Sequence, residues 1–287
     1  MVTQLSKADR RSRDLLKEEV IRYIGKCRLP DGGYFFARVT PSSGMDTYYA
    51  VKSLSLLGVK PGDPGSIVDF FFSMHKAGAL NGTTGIFAAV ETLDALGGLD
   101  SDIKQYAAQY ITSLQNKAGG FGATENVDIE VISELQETYR AVKVLTTVNA
   151  VFDRQKVKDF LLGWLNPDGS YGRGGHSALS STYYAVAIYK LLDRDMRRLA
   201  VTRDFLREQE RNRQVGYIED LYRLIMGLAD LGEKTGVPDR AVNFVLECRR
   251  AGGGFARAME MGIPTLEYTY YALSILKATS VLDSLRE

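Results

Sequence analysis

Apolar residues recur along this chain at helical spacing, in short segments that alternate with glycine-rich turns. The segments IRYIGKC (21–27), YAAQYITSLQ (106–115), VKDFLLGWL (157–165) and AVNFVLEC (241–248) place apolar side chains three and four residues apart. That is the period of one helix face. Each is followed by a glycine–aromatic turn: Asp31-Gly32-Gly33-Tyr34, Ala118-Gly119-Gly120-Phe121-Gly122, Asp168-Gly169-Ser170-Tyr171-Gly172 and Gly252-Gly253-Gly254-Phe255. A second apolar segment then begins with a phrase that returns almost unchanged. It reads DTYYA at 46–50, STYYA at 181–185 and YTYYA at 268–272, with ETYRA at 137–141 as a fainter copy. The unit is helix, turn, helix, and no stretch carries a strand signal, so the fold class is all-α.

Two weaker copies, residues 69–98 and 204–232, complete a series of six. Aligned on the Thr of the phrase, the second helices begin near Thr47, Ile86, Thr138, Thr182, Leu221 and Thr269, a period of about 44 residues. The longest gap holds an acidic segment, TENVDIEVISEL, at 124–135. A linear stack of six hairpins would leave two apolar ends, which solenoids cover with polar caps. No such caps are evident, and a closed ring removes the ends. The expected architecture is therefore an α/α toroid, first helices outside and second helices inside; an open solenoid is the alternative. The expected boundaries are a leader over 1–17, one toroid domain over 18–280 and a tail over 281–287.

Charge and composition narrow the partners. The chain has 36 basic and 35 acidic side chains, a formal charge of +1. No strong field follows, so neither nucleic acid nor an anionic membrane is an expected partner. No apolar run is long enough to span a bilayer. The two cysteines, Cys27 and Cys248, lie far apart without CxxC spacing. That suits a reducing compartment, and cytoplasmic residence is the expectation.

The GG[FY] turns, TYYA-type inner helices and period in the forties resemble the prenyltransferase and squalene-oxidase repeat. That repeat builds the β subunits of protein prenyltransferases and the barrels of class II terpene cyclases. The resemblance runs from about residue 18 to 280 and implies an isoprenoid-binding toroid, with a helical partner subunit as a possible companion. In the prenyltransferases it implies a zinc held by an Asp-x-Cys pair and a His at inner-helix starts. Here Ser180 and Thr182 stand at the first two places and Glu267 at the third, so the expectation is no metal and no other cofactor. In the cyclases it implies a DxDD acid. Here Glu134 and Glu137 occupy its outer positions with Gln136 between them, which makes these two glutamates candidate proton donors.

The remaining candidates lie where the inner helices start. The position before the phrase Thr is Asp46, Gly85, Glu137, Ser181, Asp220 and Tyr268. This set reads as helix caps or as an acidic rim for a cation. Ten of the sixteen tyrosines lie on or beside the inner helices. Neighbours on a helix differ by about 100° in direction. One tyrosine of each pair should therefore pack between layers while the other lines a cavity. Candidate ligand contacts are Tyr48, Tyr139, Tyr183, Tyr222, Glu267 and Tyr270. The resemblance puts Tyr183 at a diphosphate-contacting place. Arg173 and His176, in a glycine-rich loop before an inner helix, suit an anion. Arg140 could face the cavity with Glu137 as its partner. The functional expectation is an isoprenoid or lipid-like ligand in a tyrosine-rich cavity, held by a divergent prenyltransferase-like or cyclase-like protein. The alternative is a non-catalytic module that binds a protein or peptide.

Overall fold

A computed structural model describes residues 10–122, 134–173, 178–193, 195–212 and 216–282. Twelve α-helices are found among them. The outer set is α1 (Arg10–Lys26), α3 (Pro64–Lys76), α5 (Ser101–Ser113), α7 (Arg154–Leu162), α9 (Ala200–Asn212) and α11 (Pro238–Glu247). The inner set is α2 (Gly44–Leu56), α4 (Gly82–Leu96), α6 (Glu134–Thr147), α8 (Leu179–Leu192), α10 (Ile218–Asp230) and α12 (Leu266–Ala278). Each inner helix packs against the inner helices before and after it, and α12 packs against α2. The ring is closed, and the open-solenoid alternative falls. α1 starts at Arg10, inside the segment expected as a leader, and buries Leu16.

The two layers differ in sequence because they differ in surroundings. Outer helices are amphipathic: α3 buries Ile67, Phe70 and Phe71 and leaves its other face to water. Three of them begin at an aspartate whose side chain accepts a free backbone N–H, namely Asp63 from Ser66, Asp100 from Ile103 and Asp153 from Lys156. Inner helices are covered on nearly all sides. α8 buries Tyr183 through Tyr189 without a break. Small residues such as Ala50, Ala88, Ala141, Ala185 and Ala272 are fully buried there, letting inner backbones approach each other.

The phrase Thr has one job in all four strong copies. Thr47, Thr138, Thr182 and Thr269 each accept the backbone N–H of the aromatic residue in the preceding turn: Tyr34 at 2.9 Å, Phe121 at 3.0 Å, Tyr171 at 2.9 Å and Phe255 at 3.2 Å. Three of these hydroxyls also donate to the carbonyl four residues back. The Thr therefore latches the turn onto the inner helix. It is not a helix start, because the helices begin three or four residues earlier. Capping as read from the sequence is corrected accordingly. Ser43 and Thr265 cap α2 and α12 by accepting from Asp46 and Tyr268, so the residue before the Thr is a first-turn residue. Thr182→Val is expected to cost about 1–3 kcal/mol, since it leaves a buried Tyr171 N–H without an acceptor. Urea denaturation of the variant measures this.

In four repeats the same turn ties the hairpin to the next one. Gly32, Gly119, Gly169 and Gly253 all have positive φ and sit against the backbone of Ser66, Lys156, Val201 and Glu19 respectively. The last contact closes the ring, because Glu19 lies on α1. Tyr23 adds a hydrogen bond from its hydroxyl to the Pro264 carbonyl at 2.9 Å, and Arg249 pairs with Glu19.

Candidate functional site

The residue after each phrase Thr, or after its counterpart, is aromatic in all six repeats: Tyr48, Phe87, Tyr139, Tyr183, Tyr222 and Tyr270. Their rings form a circle around the axis. Centroids lie 5.0 Å apart for Tyr48–Phe87, 6.2 Å for Phe87–Tyr139, 5.7 Å for Tyr183–Tyr222, 6.0 Å for Tyr222–Tyr270 and 6.1 Å for Tyr270–Tyr48. Tyr184 bridges the remaining gap, at 5.7 Å from Tyr139 and 5.0 Å from Tyr183. The next residue in each repeat is Tyr49, Ala88, Arg140, Tyr184, Arg223 or Tyr271. Tyr49, Arg140, Tyr184 and Tyr271 line the same axial cavity as the aromatic circle. Both members of each tyrosine pair thus reach the axis, contrary to the division of labour expected from their 100° separation. In a ring this narrow, the axis bisects the angle between them.

The cavity is small, about 60 Å³. Ligand pockets are typically about 300–1,000 Å³. The tyrosines fill the axis. Burial raises the Tyr48, Tyr49, Tyr183, Tyr222 and Tyr271 phenols well above their ordinary range, so they stay neutral. Tyr49 and Tyr271 both donate to Glu267 Oε1, at 3.0 and 2.8 Å. Tyr183 and Tyr222 share a hydroxyl–hydroxyl contact of 3.3 Å. Towards the C-terminal ends of the inner helices, buried Glu91 accepts from Thr147 at 2.6 Å and pairs with Lys52 and Lys143 at 3.6 and 3.4 Å.

Charges gather at the opposite, N-terminal mouth. Arg140 donates to Thr84 at 2.7 Å and to Glu137 at 2.8 Å. Arg223 is mostly buried, and its nearest carboxylate, Asp220, stands 3.6 Å away, beyond hydrogen-bond length. Burial raises the Tyr184 phenol, on α8 between them, above its ordinary range, and the Arg223 and Arg140 guanidinium groups offset part of that rise. Across the mouth stand Glu267 and Asp46. Burial, reinforced by the Glu267 charge, pushes the Asp46 carboxyl up to about 6. Its folded value thus exceeds its unfolded one. The associated stability is fully present below about pH 4 and is lost as pH rises through about 6. Asp46→Asn should therefore stabilise the protein by about 1–2 kcal/mol at pH 8, after discounting for partial exposure. At pH 3.5 it should change little. Urea midpoints at the two pH values check this.

The structure separates the other sequence candidates. Tyr48, Tyr139, Tyr183, Tyr222, Tyr270 and Arg140 converge on the cavity. Glu267 stands at its edge through Tyr49 and Tyr271. Arg173 points elsewhere, paired with Glu134 and stacked over Trp164 at 4.5 Å. His176 lies outside the described residues, as do residues 124–133 of the acidic segment. Glu134 and Glu137 are held by Arg173 and Arg140, and the cavity wall between them is formed by Gln136. Arg257 donates to Glu219 at 2.6 Å and stacks over Tyr217 at 4.1 Å. Tyr49, Tyr184, Tyr271 and Arg223 were not among the candidate site residues, although the three tyrosines belong to the group noted on the inner helices. Listing the residue two places after each phrase Thr would have found all four.

The residues aligned with the zinc ligands do not fit a zinc ion. Ser180 and Thr182 are neutral hydroxyls and Glu267 a carboxylate, so the set offers neither the thiolate nor the imidazole that zinc favours. Glu267 Oε1 is already engaged by Tyr49 and Tyr271. The Thr182 hydroxyl is already held between Tyr171 N and Ala178 O. Among the described residues, no three His, Cys, Asp or Glu side chains are grouped to hold a metal. Nor is any helix among them long and apolar enough to cross a membrane.

A family model described as the prenyltransferase alpha-alpha toroid domain matches residues 2–81 and 73–279. The chain belongs to this family. One curated relative is the protein farnesyltransferase subunit beta of Schizosaccharomyces pombe, 27% identical over 114 residues. The match covers 37% of this chain and 29% of that relative. Among solved structures, Candida albicans protein geranylgeranyltransferase-I complexed with GGPP superposes with a TM-score of 0.70 at 16% identity. It covers 92% of this chain and 91% of the other. At that identity the likeness shows the shared fold.

Proposed function

We propose that this toroid binds an isoprenoid with an anionic head at the N-terminal mouth of its inner ring. One observation carries the reading: Arg140 and Arg223 flank Tyr184 directly over a complete circle of aromatic rings. Guanidinium groups suit a diphosphate because their paired N–H donors match its oxygens, and aromatic surface suits an isoprenoid chain. The likeness to a fold solved with GGPP agrees with this ligand class. The axis as it stands has room for only a small part of such a chain, so the inner tyrosines must turn aside to admit it. No transfer step is assigned, because neither the zinc positions nor the glutamate pair fits its chemistry. A companion subunit is proposed only from the naming of the fission-yeast relative as a beta subunit.

Titration with farnesyl and geranylgeranyl diphosphates tests the reading. At a hundredfold over the dissociation constant, the ligand should add about 2.7 kcal/mol of stability. The filled axis favours one second reading, a toroid that binds a protein and no isoprenoid. Unchanged melting with both diphosphates would select it.

A further inference from the structure

The glycine–aromatic turn occupies a fixed berth. The backbone N–H of its aromatic residue is latched by the phrase Thr, and its positive-φ glycine abuts the first turn of the next outer helix, at Ser66 of α3, Lys156 of α7 and Val201 of α9. In repeats three and six the following glycine meets an aromatic ring four residues further along that outer helix, as Gly120 meets Phe160 and Gly254 meets Tyr23. Residues Tyr34, Phe121, Tyr171 and Phe255 fill this berth in four repeats and are almost completely buried.

Repeats two and five carry no such Gly-Gly-aromatic sequence, and their helices are separated by five residues each, 77–81 and 213–217, of which 213–215 lie outside the described residues. Repeat two compensates. Tyr106 and Tyr110, the sixth and tenth residues of α5, reach back to its connector. Tyr106 donates to the Leu80 carbonyl at 2.6 Å, and Tyr110 accepts from Gly82 N at 3.1 Å. In repeat five the sixth and tenth residues of α11 are Asn243 and Glu247. Leu221 stands in the place of the phrase Thr. The result is a crevice of about 630 Å³ lined by Leu221, Val237, Arg240, Asn243, Phe244 and Glu247. Arg240 and Phe244 are the third and seventh residues of α11, matching Lys156 and Phe160 of α7, which wrap the turn of repeat three.

We propose that this crevice is a docking berth for an extended segment of a partner protein that carries a tyrosine. The crevice lies where an aromatic side chain on a turn sits in the four repeats that carry one. Phe244 and Leu221 offer the apolar walls. Asn243 and Glu247 offer partners for a phenol hydroxyl, at the two helix positions where repeat two supplies its own tyrosines. Leu221 cannot accept a backbone N–H, so the segment is held by its side chain. The occupant is a polypeptide because the apolar surface continues past the ring site. Met259, at the crevice, is followed on its loop by Met261 and Ile263, which are 45%, 60% and 65% exposed respectively. Methionines of this kind adapt to varied partner surfaces. The proposal is independent of isoprenoid binding at the axis.

The test uses the octapeptide NPDGSYGR, a copy of the chain's own turn at 166–173, titrated into the native protein by NMR. Leu221 and Phe244 amides should shift, and the NPDGSAGR peptide should bind at least tenfold more weakly. The double variant Asn243→Tyr/Glu247→Tyr copies repeat two, and it should lose the peptide while melting no lower than the native chain. Ala241→Phe, which crowds the same wall, should lose it too. No binding of the tyrosine peptide up to millimolar concentration would overturn the proposal. So would equal binding of the two peptides, or undiminished binding to the filled variants. Binding of 4-methylphenol as tightly as the peptide would assign the berth to a small aromatic molecule instead. Dimerisation of the native chain that the filled variants lack would assign it to a second copy.

Discussion

Gly253→Ala is expected to lower the melting midpoint by roughly 10 °C, while Gly252→Ala, one residue earlier, should leave it nearly unchanged. Gly253 has a φ of 95°, and an added Cβ would overlap the Glu19 carbonyl on α1. Gly252 has open space around its Cβ direction. The left-handed backbone alone costs a non-glycine residue about 1–3 kcal/mol. The overlap adds to this, because it is with backbone rather than a movable side chain. Relief would require α1 to move away from the seam, where Tyr23 and Arg249 also hold it. A combined loss of about 4 kcal/mol is at the upper end for point substitutions. In a chain of this size, each kcal/mol lowers the midpoint by about 2–4 °C. Scanning calorimetry of the pair decides it. Equal midpoints would mean that the seam does not depend on this contact.

Arg223→Met should weaken a prenyl diphosphate by about 10- to 100-fold and the matching prenyl alcohol by less than about twofold. The guanidinium is held at the mouth by the Tyr184 hydroxyl, with Asp220 at 3.6 Å, which leaves further N–H donors on a group that has five. Hydrogen bonds to a charged group contribute about 1.5–3 kcal/mol, and 1.4 kcal/mol is tenfold in affinity. Methionine keeps much of the apolar stem beside the tyrosines, so losses should follow the charge rather than the packing. Arg173→Met is the control. Its side chain is engaged with Glu134 and Trp164 away from the cavity, and it should leave both affinities alone. Isothermal titration with the two ligands reads the difference. Equal losses for diphosphate and alcohol in Arg223→Met would remove the head-group assignment.

The fold was legible because four of the six hairpins repeat the same local instruction and the other two keep its helical period. Helix-period segments, glycine–aromatic turns and the TYYA phrase recur where the structure places outer helix, turn and inner helix. The start of each inner helix was less legible, since a Thr at a helix start and a Thr one turn inside look alike in sequence. Only the turn N–H that it accepts tells them apart. The axial tyrosines were legible as a group but not as a circle, because facing depends on how narrow the ring is. Arg223 was missed for a related reason: it occurs in the weakest copy of the phrase, LYRLI. Arg173 stood out in a glycine-rich loop, but its pairing with Glu134, distant in sequence, is set by the packing of neighbouring hairpins.

Closure of the inner helices has a consequence for how the molecule comes apart. A linear array of hairpins frays, because its terminal members have one neighbour each and detach at half the cost of an internal member. Here α12 meets α2 and the repeat-six turn meets α1, so every hairpin has two neighbours and there is no cheap place to begin. Releasing any one of them breaks two interfaces at once. The six units therefore share their stability, and partial opening is penalised around the whole circumference.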